Sequence, residues 1–246
     1  MRIAVILPAA GLGTRMGKSH VAEKHGTSRK QFMLLDEQPI LVHTVRKFAA
    51  SDRVTEILVA VRADDREWVE SLLAPEFRGG KVRVVEGGNS RQESVQNALA
   101  ALSPDTELVA VHDAVRPFID LETMHKVFDE AAETGAAIVA VPAVDTVKQV
   151  TRGTDHVRVR STIPREKLVM AQTPQVFKYE LIKRAFDSAR ADGFSGTDES
   201  SLVERLEVEV SVVLGSDRNI KITKPGDMEL ARLFLAEEAA RISTGD

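Results

Sequence analysis

The chain contains no cysteine, which excludes disulfide staples, thiolate metal sites and cysteine nucleophiles. Its longest apolar stretches are strand-sized, far short of a membrane span, and no basic segment with an apolar signal core precedes the first strand. Charge is close to balanced: 33 Lys and Arg face 37 Asp and Glu, a formal net charge of −4. Nucleic-acid binding by bulk electrostatics is therefore not expected, and any phosphate chemistry must rest on local clusters of cations. The six histidines are scattered, with no helical pair and no HExxH spacing, which speaks against zinc. Ser94, Ser161 and Ser200 lack a nucleophile-elbow pattern, which speaks against an acyl-enzyme hydrolase. Internal repeats, low-complexity tracts and domain linkers are absent too. The 246 residues are expected to form a single cytoplasmic domain over 1–246, with a large core.

What is present begins with Ile3-Ala4-Val5-Ile6-Leu7, a β-branched apolar run that stops at Pro8-Ala9-Ala10 and then places glycines at 11, 13 and 17. This reads as a buried strand opening into a tight loop. Small residues let backbone N–H groups approach an anion, and Arg15 adds a full charge. The loop is a phosphate cradle or an ordinary Gly-rich β–α turn. It lacks the Gly-Lys-Ser/Thr ending of a Walker A loop, and its third glycine falls one position late for GxGxxG. The polar segment Lys18 to Lys30, with His20, Lys24, His25, Arg29 and Lys30, has no apolar periodicity. It reads as a flap whose cations could close over phosphates, or as a solvated surface loop.

Ile40-Leu41-Val42 with Val45 and Phe48 gives helical spacing, and Val54 to Val61 a buried strand. Asp64 is a candidate N-cap for a helix ending near Leu73. A strand at Val82 to Val85 runs into a second Gly-rich turn at Gly87-Gly88, which opens a helix from Ser90 to Leu102. The apolar strand Leu108 to Val111 ends in His112-Asp113. Asp120 suits the cap of a helix to Glu133, and Ala137 to Val141 is the next strand. This alternation predicts an α/β, Rossmann-like, mostly parallel sheet with helices on both faces. Asp145 to Leu168 breaks the rhythm: Val147, Val150, Val157 and Val159 alternate about Arg152-Gly153, the pattern of a β-hairpin. With too few apolar residues for a core of its own, it is expected to project as an arm and pack on a second subunit. A strand at Ala171 to Phe177, helices at Tyr179 to Ala191 and Thr197 to Arg205, strands at Val208 to Leu214 and Ile220 to Thr223, and a final helix from Pro225 complete the reading.

In an open parallel sheet, ligands bind at the carboxyl ends of strands near a change in strand order. The Gly11 loop, the Gly87-Gly88 turn and the His112-Asp113 turn all fall there, and each carries an arginine: Arg15, Arg91 and Arg116. Together they favour a phosphate or nucleotide site. Asp113 is placed to hold Mg²⁺ against phosphate oxygens, or else is a turn aspartate. Asp217 is a second candidate metal ligand.

The loop Pro8-Ala9-Ala10-Gly11-x-Gly13-x-Arg15-Met16 resembles the signature loop of nucleotidyltransferases with a glycosyltransferase-A-like fold. Lys30-Gln31-Phe32, Gly87-Gly88-x-Ser90-Arg91-x-x-Ser94-Val95, His112-Asp113-Ala114-Val115-Arg116-Pro117, Ala171 to Phe177, Thr197-Asp198-Glu199 and Asn219 to Thr223 narrow the resemblance to the 2-C-methyl-D-erythritol 4-phosphate cytidylyltransferase family. These motifs span almost the whole chain. The resemblance implies that the substrate phosphate attacks the α-phosphorus of CTP and releases pyrophosphate. It implies Arg15 and Lys30 as catalytic cations, with Lys24 as the alternative lysine. Ala9, Ala10, Gly11 and Gly13 would serve the triphosphate; Gly88, Asn89, Arg91 and Ser94 the cytosine and ribose, with Ala114 and Arg116 nearby. Thr146, Arg165 and Lys221 would fix the methylerythritol phosphate, and Asp113, with Asp217, would hold Mg²⁺. The arm would cross to the partner of a homodimer, so that Thr146 and Arg165 serve the neighbouring site. The rival readings are a ribitol-5-phosphate or other polyol-phosphate cytidylyltransferase, and a non-catalytic nucleotide-binding module. An NAD-dependent oxidoreductase is disfavoured, because Asp36, at about the right distance for a ribose ligand, does not end a second strand.

Overall fold

The run Ile3–Pro8 forms β1, buried through Leu7, because its side chains are apolar on both pleat faces and both faces are covered. The computed structural model describes residues 1–11, 29–153 and 156–244. After a 3₁₀ turn at Lys30–Phe32, the chain makes a miniature hairpin, β2 (Leu34–Leu35) and β3 (Gln38–Pro39), and enters α1 (Ile40–Ala49). The alternation then follows as β4 (Val54–Val61), α2 (Arg66–Leu73), β5 (Val82–Glu86), α3 (Arg91–Ala100), β6 (Leu108–Val111), α4 (Leu121–Thr134) and β7 (Ala136–Pro142). The arm strands are β8 (Val147–Arg152) and β9 (Val157–Ile163); β10 (Val169–Lys178), α5 (Tyr179–Ala191), α6 (Glu199–Glu204), β11 (Ser211–Leu214) and α7 (Pro225–Thr244) close the described chain.

Seven strands make the main sheet in the order β11-β7-β10-β6-β1-β4-β5. β1 pairs in parallel with β4 and β6, β4 with β5, and β7 with β11; β10 alone runs antiparallel, between β6 and β7. Alternate residues of each strand feed opposite cores. Ile3, Val5 and Leu7 pack with Ile57 and Val59 against α1, α2 and α4, whereas Ile6, Leu58 and Val109 pack against α3, α5 and α6. A third cluster seats α7, through Met228 and Ala231, on Leu35, Ile40, Val115, Phe118 and Ile222. Each fully buried aliphatic or phenyl side chain contributes about 1.5–3 kcal/mol, so these clusters, rather than surface ion pairs, hold the sheet rigid beneath its loops.

Helix starts are set by side chains. Ser90 accepts from the Glu93 N–H at 3.0 Å, Asp120 from Thr123 at 2.7 Å and Asp198 from Ser201 at 3.1 Å, each satisfying an otherwise orphaned donor. Two expectations are corrected. Asp64 does not cap α2: Ala63–Asp65 form a 3₁₀ turn, the residue before the helix is Asp65, and its carboxylate is taken by Arg29. Ile220 to Thr223 is not a strand. Its Ile222 is buried in the α7 cluster, and among the described residues the segment's backbone bonds towards the sheet region only through the Ile222 N–H, which donates to the Val115 carbonyl at 3.0 Å.

The arm stands apart as its own two-stranded sheet, paired from Val147↔Ile163 to Arg152↔Val157. Its apolar residues Val150, Val157 and Val159 are exposed, the last two at 61% and 64%. No helix among the described residues is long and apolar enough to cross a membrane.

At the end of β6, His112 is fully buried edge-on to Phe48, with ring centroids 4.7 Å apart. Its Nε2–H donates to the Arg116 carbonyl at 2.9 Å, while Nδ1 is buried without a partner. Burial lowers its pKa from 6.5 to about 4. The unfolded chain therefore takes up a proton near pH 6.5 that the folded chain refuses until about pH 4. Stability on the order of 3 kcal/mol is present above that interval and is lost as the pH falls through it. Urea unfolding of the metal-free, ligand-free protein should show this decline, and His112→Gln should flatten it whatever its own absolute stability. Parallel pH profiles for the two proteins would contradict the assignment.

Candidate active site

Because β1, β4, β5 and β6 are parallel, their carboxyl ends share one edge of the sheet. The chain leaves β1 towards β4 and β5 and returns on the other side as β6. That reversal is the switch point at which loops separate and leave a crevice. A cleft of about 410 Å³ lies there. It is lined by Pro8 to Gly11 after β1, Arg62 after β4, Gly88 to Arg91 and Ser94 around the start of α3, Asp113 to Val115 after β6, and by Lys30, Gln31 and Lys221.

The first wall is built by neutral groups. The Ala9 N–H donates to the Ala60 carbonyl at 2.7 Å, which continues the β1–β4 ladder one step past the strand. The buried Gln31 amide donates to the carbonyls of Ala9 and Gly11 at 2.6 and 3.0 Å, fixing Lys30 beside the loop. Phe32 packs edge-on against Trp68 of α2 at 4.8 Å, and Arg29 is ion-paired with Asp65. On the facing wall, a Cβ at Gly87 would stand 2.9 Å from Ala10 Cβ and 3.0 Å from Ser94 Oγ, and one at Gly88 only 2.2 Å from Glu93 Cγ. Glycine at 87 therefore permits the close approach to Ala10, and glycine at 88 lets Glu93 fold back against its own turn. Ser94 donates to the Ser90 carbonyl at 2.7 Å and accepts from the Gly88 N–H at 3.0 Å; Glu93 accepts from the Asn89 N–H at 2.7 Å.

The floor is electrostatic. Asp113 Oδ1 pairs with Arg91 Nε at 3.3 Å, and Oδ2 with Arg116 Nε at 3.3 Å and Lys221 Nζ at 2.9 Å. Arg91 Nη1 reaches on to Glu199 Oε1 at 2.6 Å. Burial alone would favour protonated Asp113, but Arg91, Lys221 and Arg116 outweigh it and hold the carboxyl well below its usual range. Glu199 goes the other way, because its complete burial raises its pKa more than Arg91 lowers it. With both carboxylates ionised, three cations against two anions leave this cluster at +1. A cleft floor of that kind suits an anionic ligand.

Eleven of the residues singled out from sequence line the cleft: Ala9, Ala10, Gly11, Lys30, Gly88, Asn89, Arg91, Ser94, Asp113, Ala114 and Lys221. Arg116 sits behind Asp113, its Nη1 donating to the Asn219 carbonyl at 2.7 Å. Gly13, Arg15 and Lys24 lie outside the described residues. Thr146 and Arg165 are exposed at the base of the arm and do not line this cleft; Arg165 donates to the Val144 carbonyl at 2.5 Å. Asp217 is an exposed turn residue that does not line it either, and no group of three or more His, Asp or Glu among the described residues is arranged around a metal position.

Sequence reading overlooked Arg62, although its signal matched that of Asp113, a charge placed just past an apolar strand. Glu199, Gln175 and Asn219 were quoted only as motif letters. The Gln175 amide donates to Asp198 and its oxygen accepts from the Glu199 and Ser200 N–H groups at 3.1 and 2.9 Å, which seats the start of α6 on β10. The Asn219 amide donates to Gln172 Oε1 and the Thr173 carbonyl at 3.0 and 2.9 Å.

Comparison with known proteins gives the same answer over the whole chain. Residues 3–237 match the family model of 2-C-methyl-D-erythritol 4-phosphate cytidylyltransferase. The enzyme of that name from Solibacter usitatus is 79% identical over 241 residues, covering 98% of both chains, and that from Acidobacterium capsulatum is 50% identical over 98% of this chain and all of the relative. Among solved structures, 4-diphosphocytidyl-2C-methyl-D-erythritol synthase from Anaerococcus prevotii superposes with a TM-score of 0.81 at 30% identity, covering 95% of this chain and 96% of that one. The Francisella tularensis cytidylyltransferase gives 0.77 at 32% identity, covering 95% and 99%. The chain belongs to the 2-C-methyl-D-erythritol 4-phosphate cytidylyltransferase family.

Proposed function

We propose that the cleft binds CTP and that the phosphate of 2-C-methyl-D-erythritol 4-phosphate attacks the nucleotide's α-phosphorus there. A substrate phosphate oxygen forms the new bond to phosphorus, the bond from the α-phosphorus to the α,β-bridging oxygen breaks, and pyrophosphate leaves with the electron pair. The products are 4-diphosphocytidyl-2-C-methyl-D-erythritol and pyrophosphate. The chemistry asks for alignment and charge neutralisation rather than a protein nucleophile. The observation that carries this reading is the Asp113 cluster: one ionised carboxylate and three cations at the switch point, facing a small-residue loop across the cleft.

The roles follow position. Ala9, Ala10 and Gly11 face the triphosphate; Gly13 and Arg15, outside the described residues, take their roles from the family motif alone. Gly88, Asn89, Arg91 and Ser94 hold the cytosine and ribose, with Ala114 beside them and Arg116 bracing Asp113. Lys30, with Arg15, meets the negative charge that builds on the pentacovalent phosphorus and the departing pyrophosphate; Lys221 receives the methylerythritol phosphate. The donor set suits Mg²⁺: Asp113 offers hard, ionised oxygens, and as a single carboxylate it would hold the ion only with help from the substrate. When bound, Mg²⁺ would neutralise phosphate charge. Asp217, exposed and away from the cleft lining, has no part in this scheme.

Pyrophosphate release with CTP tests the reading. Turnover is expected with 2-C-methyl-D-erythritol 4-phosphate, and preferential turnover of ribitol 5-phosphate would sink it. Lys30→Ala should lower kcat on the order of 10²-fold or more with little change in CTP affinity; an unchanged kcat would refute the role of Lys30.

The reading includes a homodimer. Thr146 and Arg165 flank an arm that has no core of its own and exposes Val157 and Val159 on one face. An isolated two-stranded hairpin is at best marginally stable in water. We infer that the arm packs on a second copy and brings Thr146 and Arg165 to the neighbour's substrate. Light scattering after size exclusion should give a dimer for the wild type and a monomer for the double variant Val157→Glu, Val159→Glu. A monomeric wild type would overturn the arrangement.

A further inference from the structure

The cations of the cleft differ in what already holds them. Arg91 and Lys221 are tied to Asp113, and Arg91 to Glu199 as well. Arg62, half-buried at the end of β4, lines the same cleft, yet its guanidinium has no hydrogen-bond or ion-pair partner among the described residues. The buried carboxylate nearest to it in sequence, Asp65, is committed to Arg29. Arg29 feels Arg62 as a repelling charge, since after burial it is the next cause that lowers the Arg29 pKa. The chain has therefore put two arginines close together and supplied a buried counter-ion to the one that stands outside the cleft lining. A guanidinium that lines a cleft without a fixed counter-ion is available to an anion that enters it. Arg62 stands between the Gly87-Gly88 turn, whose Gly87 N–H donates to the Val61 carbonyl at 2.6 Å, and the Ala9–Gly11 loop, which with Lys30 is assigned above to the triphosphate.

We propose that Arg62 is a further triphosphate-binding residue, with its guanidinium contacting non-bridging oxygens of the β- and γ-phosphates. The planar fork of arginine matches phosphate oxygens in pairs, which a lysine ammonium cannot do. The proposal rests on the reading of the cleft as a CTP site and adds a contact that none of the motif residues provides. It assigns Arg29 and Asp65 a positioning role: their ion pair keeps Asp65 from capturing Arg62.

Isothermal titration of the full chain with CTP, inorganic pyrophosphate and CMP, each in the presence of Mg²⁺, separates the possibilities. Arg62→Ala should weaken CTP and pyrophosphate by about 10-fold or more and leave CMP unchanged, because CMP lacks the phosphates in question. In steady state, KM for CTP should rise more than kcat falls. Arg62→Lys, which keeps the charge but not the fork, should recover part of the loss and guards against misfolding of the alanine variant. CTP binding by Arg62→Ala as tight as wild type overturns the role of Arg62 and leaves the cytidylyltransferase reading standing. Equal weakening of CTP and CMP also overturns it, by showing general damage to the cleft. Wild-type protein that binds neither CTP nor pyrophosphate overturns the CTP reading and Arg62 with it.

Discussion

The Asp113 carboxylate is the constraint on which the rest of the site depends. It gathers Arg91 from α3, Arg116 from its own turn and Lys221 from the segment before α7, while its backbone N–H donates to Thr173 of β10 at 3.0 Å. Segments more than a hundred residues apart thus meet at one group. Buried ion pairs roughly break even against apolar packing, because desolvation offsets the Coulomb gain. The worth of this cluster therefore lies in orientation: each cation is held by a partner that is itself held. Glu199 extends the arrangement by one step, and Gln175 fixes Glu199 through its backbone. These are neutral or paired supports for charged groups, the kind of outer support that keeps a site from loosening by an ångström.

The sheet explains why such a cluster can be built at all. The parallel strands β1, β4, β5 and β6 deliver four chain reversals to one edge, and their alternate side chains lock them into two opposite cores. Loops attached to so rigid a base can be shaped by small residues without collapsing. Gly87 leaves room for Ala10 and Ser94 where a Cβ would stand 2.9 and 3.0 Å from them, Gly88 leaves room for Glu93, and Gln31 ties the Ala9–Gly11 loop down through two carbonyls. Neither device contributes charge, so the potential in the cleft is set by its cations and the two carboxylates paired with them.

The fold was legible wherever a pattern was local. Leu108 to Val111 is apolar on both faces and is a central strand; Ser90 and Asp120 sit where their helices start and accept the bonds a cap should accept. Local rules failed where a distant partner decided. Asp64 read as the cap of α2, but the residue before the helix is Asp65, and Arg29 claims its carboxylate. Ile220 to Thr223 carries a strand's alternation, yet its apolar side chain Ile222 serves α7. In the site, Asp113 could be read because the arginine-bearing turns expected around it outweighed the alternative of a turn aspartate. Arg62 stands in the same position after β4 and was overlooked, because arginine is common at strand ends and only the structure shows which strand ends share an edge. Glu199 could not be found by pattern: its role exists through Arg91, 108 residues away.

Charge division within the cleft bears on how catalysis and binding are separated. On the proposed reading, cations already paired with Asp113 and Glu199 cannot move far towards new charge, so they would meet the nucleotide in much the same way before and during the reaction. Such uniform binding sets affinity and alignment but does not by itself lower the barrier. Rate enhancement must come from groups that gain interaction only as negative charge shifts onto the pentacovalent phosphorus and the departing pyrophosphate. Lys30 and Arg62 stand apart from the Asp113 cluster, one beside the loop after β1 and the other at the end of β4. Of these, a group on the outer, non-bridging oxygens of the β- and γ-phosphates meets mostly charge that is already present in CTP, whereas one beside the α-phosphorus and the α,β-bridging oxygen meets the charge that grows most. Two cations in one cleft, on similar scaffolding, would then do different work simply because of where along the triphosphate each is placed.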